Sequence, residues 1–360
     1  MSDNVLVDEE LLTSGPRAGG RRRMVLGVAV LLLIAGVVIG VLVSSHSDHR
    51  SSKAPAPTGA STTSSPVAAG GPGPAPAVLL NGFVYIIDEG MLYMRGTSRF
   101  EIHQTVVGPF REPNAAYVLV ADEAHRRIWV VQSVGSIWGA YEYDSATLEQ
   151  ISAQKVGGRV NGAAVLAGDL YVDTNYGVFR IVRPDTGPRD ATPLPGGRAI
   201  AADPSRGRLL VLALDGGRTQ VRAERPSAQR PDVVAHSPVF GRGSLAVVDG
   251  HIWAGGEGSR GAVLVQLDPR TLAPVGHSRL EAEVGSGAVI VAVGRQDLLV
   301  RSEAGGDELW CVDGGSGAVR QKWAHAPGPA VLDGADLGSH VFTVAADFTP
   351  RPLNGTNCRG

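Results

Sequence analysis

Short apolar runs recur along this chain from Leu79 onward, punctuated by Gly, Asp and Pro. One segment type returns again and again: a turn, an aliphatic residue, then an aromatic or aliphatic residue and Val. It reads GMLYMRGT at 90–97, RRIWVVQS at 126–133, GDLYVDTN at 168–175, GRLLVLAL at 207–214, GHIWAGGE at 250–257, QDLLVRSE at 296–303 and SHVFTVAA at 339–346. The anchors Leu92, Ile128, Leu170, Leu209, Ile252, Leu298 and Val341 lie 36, 42, 39, 43, 46 and 43 residues apart. An apolar run precedes each anchor, as at Tyr117–Val120 or Ala199–Ala202. A third, alternating run follows most of them, closed by an Asp- or Pro-containing turn, as in AYEYDSATL at 140–148 and VLVQLDPRTL at 263–272. A more polar fourth run, such as Glu149–Val156 or Val319–Ala324, ends the unit. Four short strands per ~40 residues, repeated about seven times, predict an all-β fold: an about seven-bladed β-propeller over 79–360. Inner strands covered on both sides read as continuous Val, Ile, Leu and Ala, and outer strands alternate. A β-sandwich would not explain the near-equal periods.

The pattern before Leu79 is different. Met24–Val43 is twenty residues without a charge, which as a helix spans roughly 30 Å, the thickness of a bilayer core. Arg17, Arg21, Arg22 and Arg23 precede it and only Arg50 and Lys53 follow closely, which orients the N-terminus toward the cytoplasm. The apolar run is too long for a cleaved signal core, and Val43-Ser44-Ser45 is a mediocre cleavage site. Arg22-Arg23 is not followed by a complete twin-arginine pattern. An uncleaved signal anchor is the expectation, with residues 1–23 a solvated cytoplasmic tail. Gly36 and Gly40 form a small-xxx-small pair. Residues 44–78 are Ser, Thr, Pro, Ala and Gly with almost no large apolar residue, a composition that cannot offset chain entropy and predicts an extended, disordered spacer. The expected localisation is therefore the cell membrane, single-pass, with the C-terminal domain extracytoplasmic.

The chain has 33 Lys plus Arg against 35 Asp plus Glu, for a net charge of −2. That balance supplies no electrostatic footprint for nucleic acid. Arginine far outnumbers lysine beyond Leu79, where only Lys155 and Lys322 are lysines. With abundant Ala, Gly and Pro, this matches the coding bias of a high-GC bacterium. The two cysteines, Cys311 and Cys358, in a domain expected outside the membrane, predict one disulfide.

Units such as AADPSRGRLLVLAL at 201–214, VADEAHRRIWVV at 120–131 and LDPRTLAPVG at 267–276 resemble blades of the YVTN and quinoprotein-like (PQQ-like) propeller superfamily. The likeness covers roughly residues 79 to 350 and extends to actinobacterial-type surface proteins. It implies that Asp144, Asp185, Asp268 and Asp313 begin tight turns after the third strand of their blades. The YVTN tetrapeptide and a regular tryptophan motif are absent. After Val341 the chain shows little strand character, so either Val78–Leu80 or Phe83–Ile87 is expected to complete the last blade. The disulfide would then join the third strand of the sixth unit to the tail.

Candidate chemistry is sparse. The nine histidines are scattered, and none pairs with another at metal-ligand spacing. The recurring turn aspartates suit Asx turns better than a metal or catalytic set. Gly255-Gly256-Glu257-Gly258 and Gly305-Gly306 lie in hairpin loops with no helix behind them to cradle a phosphate. No catalytic, cofactor-binding or metal-binding residue is singled out, and no cofactor is expected. Trp129 and Tyr171 sit on anchor strands and read as core. Trp138 reads as a loop aromatic, and with Asn161, Asp173, Asn175 and Tyr176 it forms a candidate ligand face for carbohydrate or peptide. Two classes of function follow. The first is a membrane-anchored binding or scaffolding propeller, partnered by the bilayer through Met24–Val43 and by cell-wall glycan or an envelope protein. The second is an enzyme on the same disk, a quinone-dependent oxidoreductase or a lyase. An accessory subunit of an envelope or secretion complex is a further reading of the same architecture.

Overall fold

The computed structural model describes residues 77–358 apart from 89, 97–101, 109–114, 136, 182–196, 216–217, 228–230, 238, 259–260, 281–286, 295, 303–307, 327, 334–339 and 345–349. Two units separate along the chain, Met1–Thr58 and Gly59–Gly360, and every described residue belongs to the second. Met24–Val43, residues 44–76 of the spacer and Asp185 lie outside the described residues, among which no helix is long and apolar enough to cross a membrane; Ala77 and Val78, which composition assigns to the spacer, instead open the first strand of the disk.

Seven antiparallel sheets follow one another along the chain. Blade 1 is β1 (Ala77–Leu80), β2 (Phe83–Asp88), β3 (Met91–Gly96) and β4 (Ile102–Val107). Blade 2 is β5 (Ala116–Asp122), β6 (Arg127–Val134), β7 (Ile137–Asp144) and β8 (Gln150–Gly157). Blade 3 shows β9 (Val160–Leu166), β10 (Asp169–Thr174) and β11 (Gly177–Ile181) among the described residues. Blade 4 is β12 (Ala199–Asp203), β13 (Arg208–Asp215), β14 (Arg218–Glu224) and β15 (Val233–His236). Blade 5 is β16 (Phe240–Val248), β17 (His251–Gly258), β18 (Gly261–Leu267) and β19 (Pro274–Arg279). Blade 6 is β20 (Ala288–Val293), β21 (Asp297–Ser302), β22 (Leu309–Asp313) and β23 (Val319–Trp323). Blade 7 shows β24 (Ala330–Asp333), β25 (His340–Val344) and β26 (Pro350–Asn357). The innermost strands β1, β5, β9, β12, β16, β20 and β24 each touch the next, and β24 returns to β1, so the blades close into a seven-bladed propeller.

Burial follows position in the blade. Every residue of the inner strand β12 is buried, whereas the outer strand β15 alternates half-buried and exposed. The core is divided among the seven blade interfaces, each with its own apolar cluster. Between blades 4 and 5, for example, Leu210, Leu212 and Val221 meet Leu245, Ile252 and Val265.

Three sequence expectations are corrected here. Leu92 lies in β3, the third strand of its blade. Val84 holds the true anchor position, paired with Leu79 as Ile128 is paired with Ala121. The first interval, from Val84 to Ile128, becomes 44 residues, in line with the others. The misreading arose because β2 and β3 both carry an aliphatic–Tyr pair, and β1 is only four residues long at the end of a Pro-rich stretch. Second, Val78–Leu80 and Phe83–Ile87 belong to β1 and β2 of blade 1 and do not complete the last blade. Third, the tail is a strand: β26 pairs with β25 despite Pro350 and Pro352, residues tolerated where a ladder hydrogen bond is not required. The last blade is thus built from the C-terminal segments in order. The expected disulfide is present, joining Cys311 in β22 to Cys358 just beyond β26 with Cα atoms 5.7 Å apart.

The turn aspartates behave as the resemblance implies. Asp144 Oδ1 accepts the backbone N–H groups of Ala146 (2.9 Å) and Thr147 (3.0 Å) and the Thr147 hydroxyl (3.3 Å). Asp268 does the same with Arg270 and Thr271, and Asp313 with Gly315 and Ser316. These bonds hold the Asp144 and Asp268 carboxyls below the usual range, chiefly through the N–H of Thr147 and of Thr271. Each turn closes on a residue at positive φ: Leu148 (54°), Leu272 (58°) and Gly317 (76°). The two leucines occupy that unfavourable backbone region with their side chains buried in the core.

These turns also receive bonds from the preceding blade. Tyr85 in β2 donates its hydroxyl to Ser145 O (2.6 Å), and Trp253 in β17 donates Nε1–H to Gly314 O (2.7 Å). Both acceptors belong to the residue after the turn aspartate, and both donors follow an anchor, Val84 or Ile252. Trp129 and Tyr171 stand at the same register in blades 2 and 3 and are buried, as expected of core residues.

Candidate ligand face

The meander inside each blade fixes two distinct faces of the disk. First-to-second and third-to-fourth strand turns fall on one face. Second-to-third turns fall on the other, together with the crossings that lead into the next blade. Asn161, Asp173, Asn175 and Tyr176 all lie toward this second face of blade 3, so the structure brings four of the candidate residues together.

Most of that polarity is spent on stitching the chain. Asn175 Oδ1 accepts the Arg159 N–H (2.7 Å), and the Asn175 N–H donates to Arg159 O (3.1 Å). This clips the β10–β11 turn to the crossing from blade 2. Asn161 Nδ2–H donates to Gly197 O (2.8 Å), while the Gly197 N–H donates to Asp173 Oδ1 (2.8 Å). These bonds clip blade 3 to the crossing into blade 4. Tyr176 is left 66% exposed. Its ring lies over Gly158, where φ is +125° and a Cβ would come within 3.1 Å of Tyr176 Cδ2. A glycine is therefore required under the ring.

Trp138 is elsewhere. It lies in β7, is buried, donates Nε1–H to Gly157 O (2.9 Å) and packs near Phe179 with ring centroids 6.2 Å apart. It belongs to the core between blades 2 and 3. The loop reading failed because Gly135 begins a tight hairpin turn, and the next strand starts at Ile137.

Sequence reasoning missed two other exposed apolar side chains on this face, Ile137 (61%) and Leu214 (48%), at the hairpins of blades 2 and 4. Ile137 pairs with Gly157, next to the glycine beneath Tyr176. Exposed Arg159, Arg198 and Arg218 and a single exposed acid, Asp215, surround them among the described residues. The signal was available: each stands at a hairpin end of a strand, Leu214 beside Asp215 and Ile137 two residues after Gly135.

Beneath this arc is a buried ionisable cluster. Asp173 is fully buried and its carboxyl is pushed up to about 7, first by burial, with the Gly197 N–H and Arg222 opposing and Glu224 adding. Glu224 in β14 is also fully buried and raised by burial, and Arg222 Nε lies 3.1 Å from Glu224 Oε1. Asp173 Oδ2 has no hydrogen-bond partner among the described residues. The cluster faces the apolar wall of Tyr171, Ile200, Leu209 and Val211 between blades 3 and 4. No group of three or more His, Cys, Asp or Glu side chains among the described residues is arranged to hold a metal ion.

No family model matches the chain, and no curated protein matches it. Solved structures do. A chain of a mitotic checkpoint complex crystal structure aligns with TM-score 0.61 at 12% identity, covering 84% of this chain and 98% of that one. BamB from Moraxella catarrhalis aligns with TM-score 0.51 at 12% identity, covering 80% and 98%. PorZ of Porphyromonas gingivalis aligns with TM-score 0.52 at 12% identity, covering 82% of this chain and 39% of PorZ. At such identities the likeness is one of fold, and what this chain shares with these structures is the β-propeller.

Proposed function

We propose that this chain is a membrane-tethered propeller whose disk stands outside the cytoplasmic membrane and serves as a binding or scaffolding module. The arc of Ile137, Tyr176 and Leu214 carries the binding role, because it places solvent-exposed apolar side chains on a hydrogen-bonded frame that is already rigid. Preorganised surface of this kind loses little freedom on binding. The tether rests on Met24–Val43 and the arginines before it. A role as an accessory of an envelope or secretion complex is a second reading. It draws on the likeness to PorZ, described as an essential bacterial surface component of the type-IX secretion system.

Two measurements test this. Cells carrying the protein are treated with protease, intact and permeabilised, and their membranes are washed at alkaline pH. The disk should be cut from outside, residues 1–23 should be protected, and the chain should stay with the membrane. Release by the alkaline wash would overturn the tether. The purified protein is then offered isolated envelope material, wall fragments and lipid included. Tyr176→Ala should weaken capture about tenfold, the loss of one well-packed aromatic contact; undiminished capture would remove the arc as the binding face.

A further inference from the structure

We infer that blade 7 is a strap, which the Cys311–Cys358 bond locks into the ring and which a dithiol releases. Three observations converge. The first is what the bond encloses. It joins β22, the third strand of blade 6, to the turn after β26, across a sequence separation of 47. The covalent loop therefore holds β23 and the whole of blade 7 from β24 to β26. With the bond broken, the backbone ties blade 7 to the described disk only through the crossing from β23 to β24.

The second observation is how little ladder the blade has of its own. β24 has four residues and β25 five, where the equivalent strands of blade 2, β5 and β6, have seven and eight. Pro350 and Pro352 bring no N–H to β26. The pairing of β26 with β25 also shifts register between His340 and Phe342. A short ladder sets fewer hydrogen bonds against the chain entropy of holding it, so opening is easiest there.

The third is where the sulfurs lie. Both cysteines are fully buried, in the cluster where Ala292, Leu299 and Leu309 of blade 6 meet Ala330 and Val341 of blade 7. On its other flank blade 7 meets blade 1 through Val331 and Phe342, against Ala77, Val84 and Ile86, with no strand shared. A reductant cannot touch either sulfur while the blade is seated, and it can once the blade lifts. The bond opposes that lifting, so bond and blade form one device. In the exchange, a thiolate of the dithiol attacks one cysteine sulfur, forms a mixed disulfide and expels the other cysteine as thiolate. The second thiolate of the dithiol then displaces the protein sulfur. The protein gains two electrons and two protons as two thiols, and the dithiol leaves as a cyclic disulfide. Released, blade 7 uncovers the apolar faces of blades 6 and 1 that it had separated.

The test compares the full chain oxidised and after about 10 mM dithiothreitol in native buffer, with iodoacetamide counting the thiols and amide hydrogen exchange reading the strands. Two thiols should appear within hours. Exchange in β24 and β25 should then speed up at least about thirtyfold, within the roughly thousandfold that the entropy of a loop this long allows. Exchange in β6, β13 and β17, in blades 2, 4 and 5, should change less than about twofold, and reoxidation should restore the first map. The Cys311→Ala/Cys358→Ala variant should show the same pattern with no reductant present. A bond still intact after a day in dithiothreitol makes it a permanent staple and overturns the proposal. Acceleration spread evenly over all seven blades, or none in β24 and β25 after reduction, overturns it as well.

Discussion

Asp173→Asn should change how the stability of the disk depends on pH. Asp173 is fully buried and titrates near pH 7 in the folded protein, against about 3.9 for an unfolded aspartate. Between those values the folded state holds a proton that the unfolded state has released. Stability therefore falls as pH rises from about 4 to about 7, by ~1.4 kcal/mol per unit, and levels off above the folded value. From pH 5 to pH 8 the loss attributable to this carboxyl is about 3 kcal/mol. An amide is the same shape as the neutral acid, and its oxygen can still accept the Gly197 N–H. At pH 5 the variant should match the parent to within ~1 kcal/mol, and at pH 8 it should be the more stable by roughly 2–3 kcal/mol. Glu224 and Arg222 are present in both proteins, so their own contributions largely cancel in the difference. Urea unfolding followed by circular dichroism at pH 5, 6, 7 and 8, at constant ionic strength, measures it. A difference that does not move with pH, or one that favours the parent at high pH, would refute the assignment of a protonated Asp173.

Tyr85→Phe deletes the bond to Ser145 O and leaves that carbonyl in the interface between blades 1 and 2; it should cost about 1–3 kcal/mol. Tyr143→Phe, whose hydroxyl reaches Gln150 Oε1 only at 3.4 Å, should cost less than ~1 kcal/mol, and equal losses would show that the Tyr85 bond is not special. Replacing Cys311 and Cys358 together by Ala should remove up to about 4 kcal/mol, the entropy of a loop with 46 intervening residues, and non-reducing peptide mapping of the parent should recover the linked peptide. Residues 77–360 produced without the N-terminal segment should give the same β-rich spectrum and unfolding midpoint as the disk in the full chain, since all seven blade interfaces lie within them. An aggregated product under oxidising conditions would contradict that.

Blade number and strand order were legible because each unit repeats the same physical demand. An inner strand must be apolar on both sides, and the third-strand turn needs an Asp whose side chain can cap its own backbone. Leu209 and Ile252 therefore stood out at a fixed register, and Asp268 announced its turn. The first unit was misaligned where the demand was met twice, by Val84-Tyr85 and Leu92-Tyr93. The last blade was misjudged because proline disfavours a strand locally but not at its ends. Of the candidate site, Tyr176 could be read from its turn, since an aromatic beside Asn and Gly has no strand neighbour to pack against. Trp138 could not, because whether an indole is buried depends on Phe179, forty-one residues away, in another blade. Arg222 and Glu224 were hidden by their own alternation. Polar residues at every second position of β14 suggest a wet side, yet that side is turned against blade 3.

The closing seam joins these observations. Six interfaces are spanned by continuous chain, but the seventh, between blade 7 and blade 1, joins the two ends of the disk without exchanging a strand. Among the described residues it rests on Ala77, Val84, Ile86, Val331 and Phe342, with Leu79 beside them, the smallest of the seven clusters. The Cys311–Cys358 bond does not cross this seam. It fastens the last blade to blade 6, and so keeps Val331 and Phe342 near their partners, lowering the entropy cost of closing the ring.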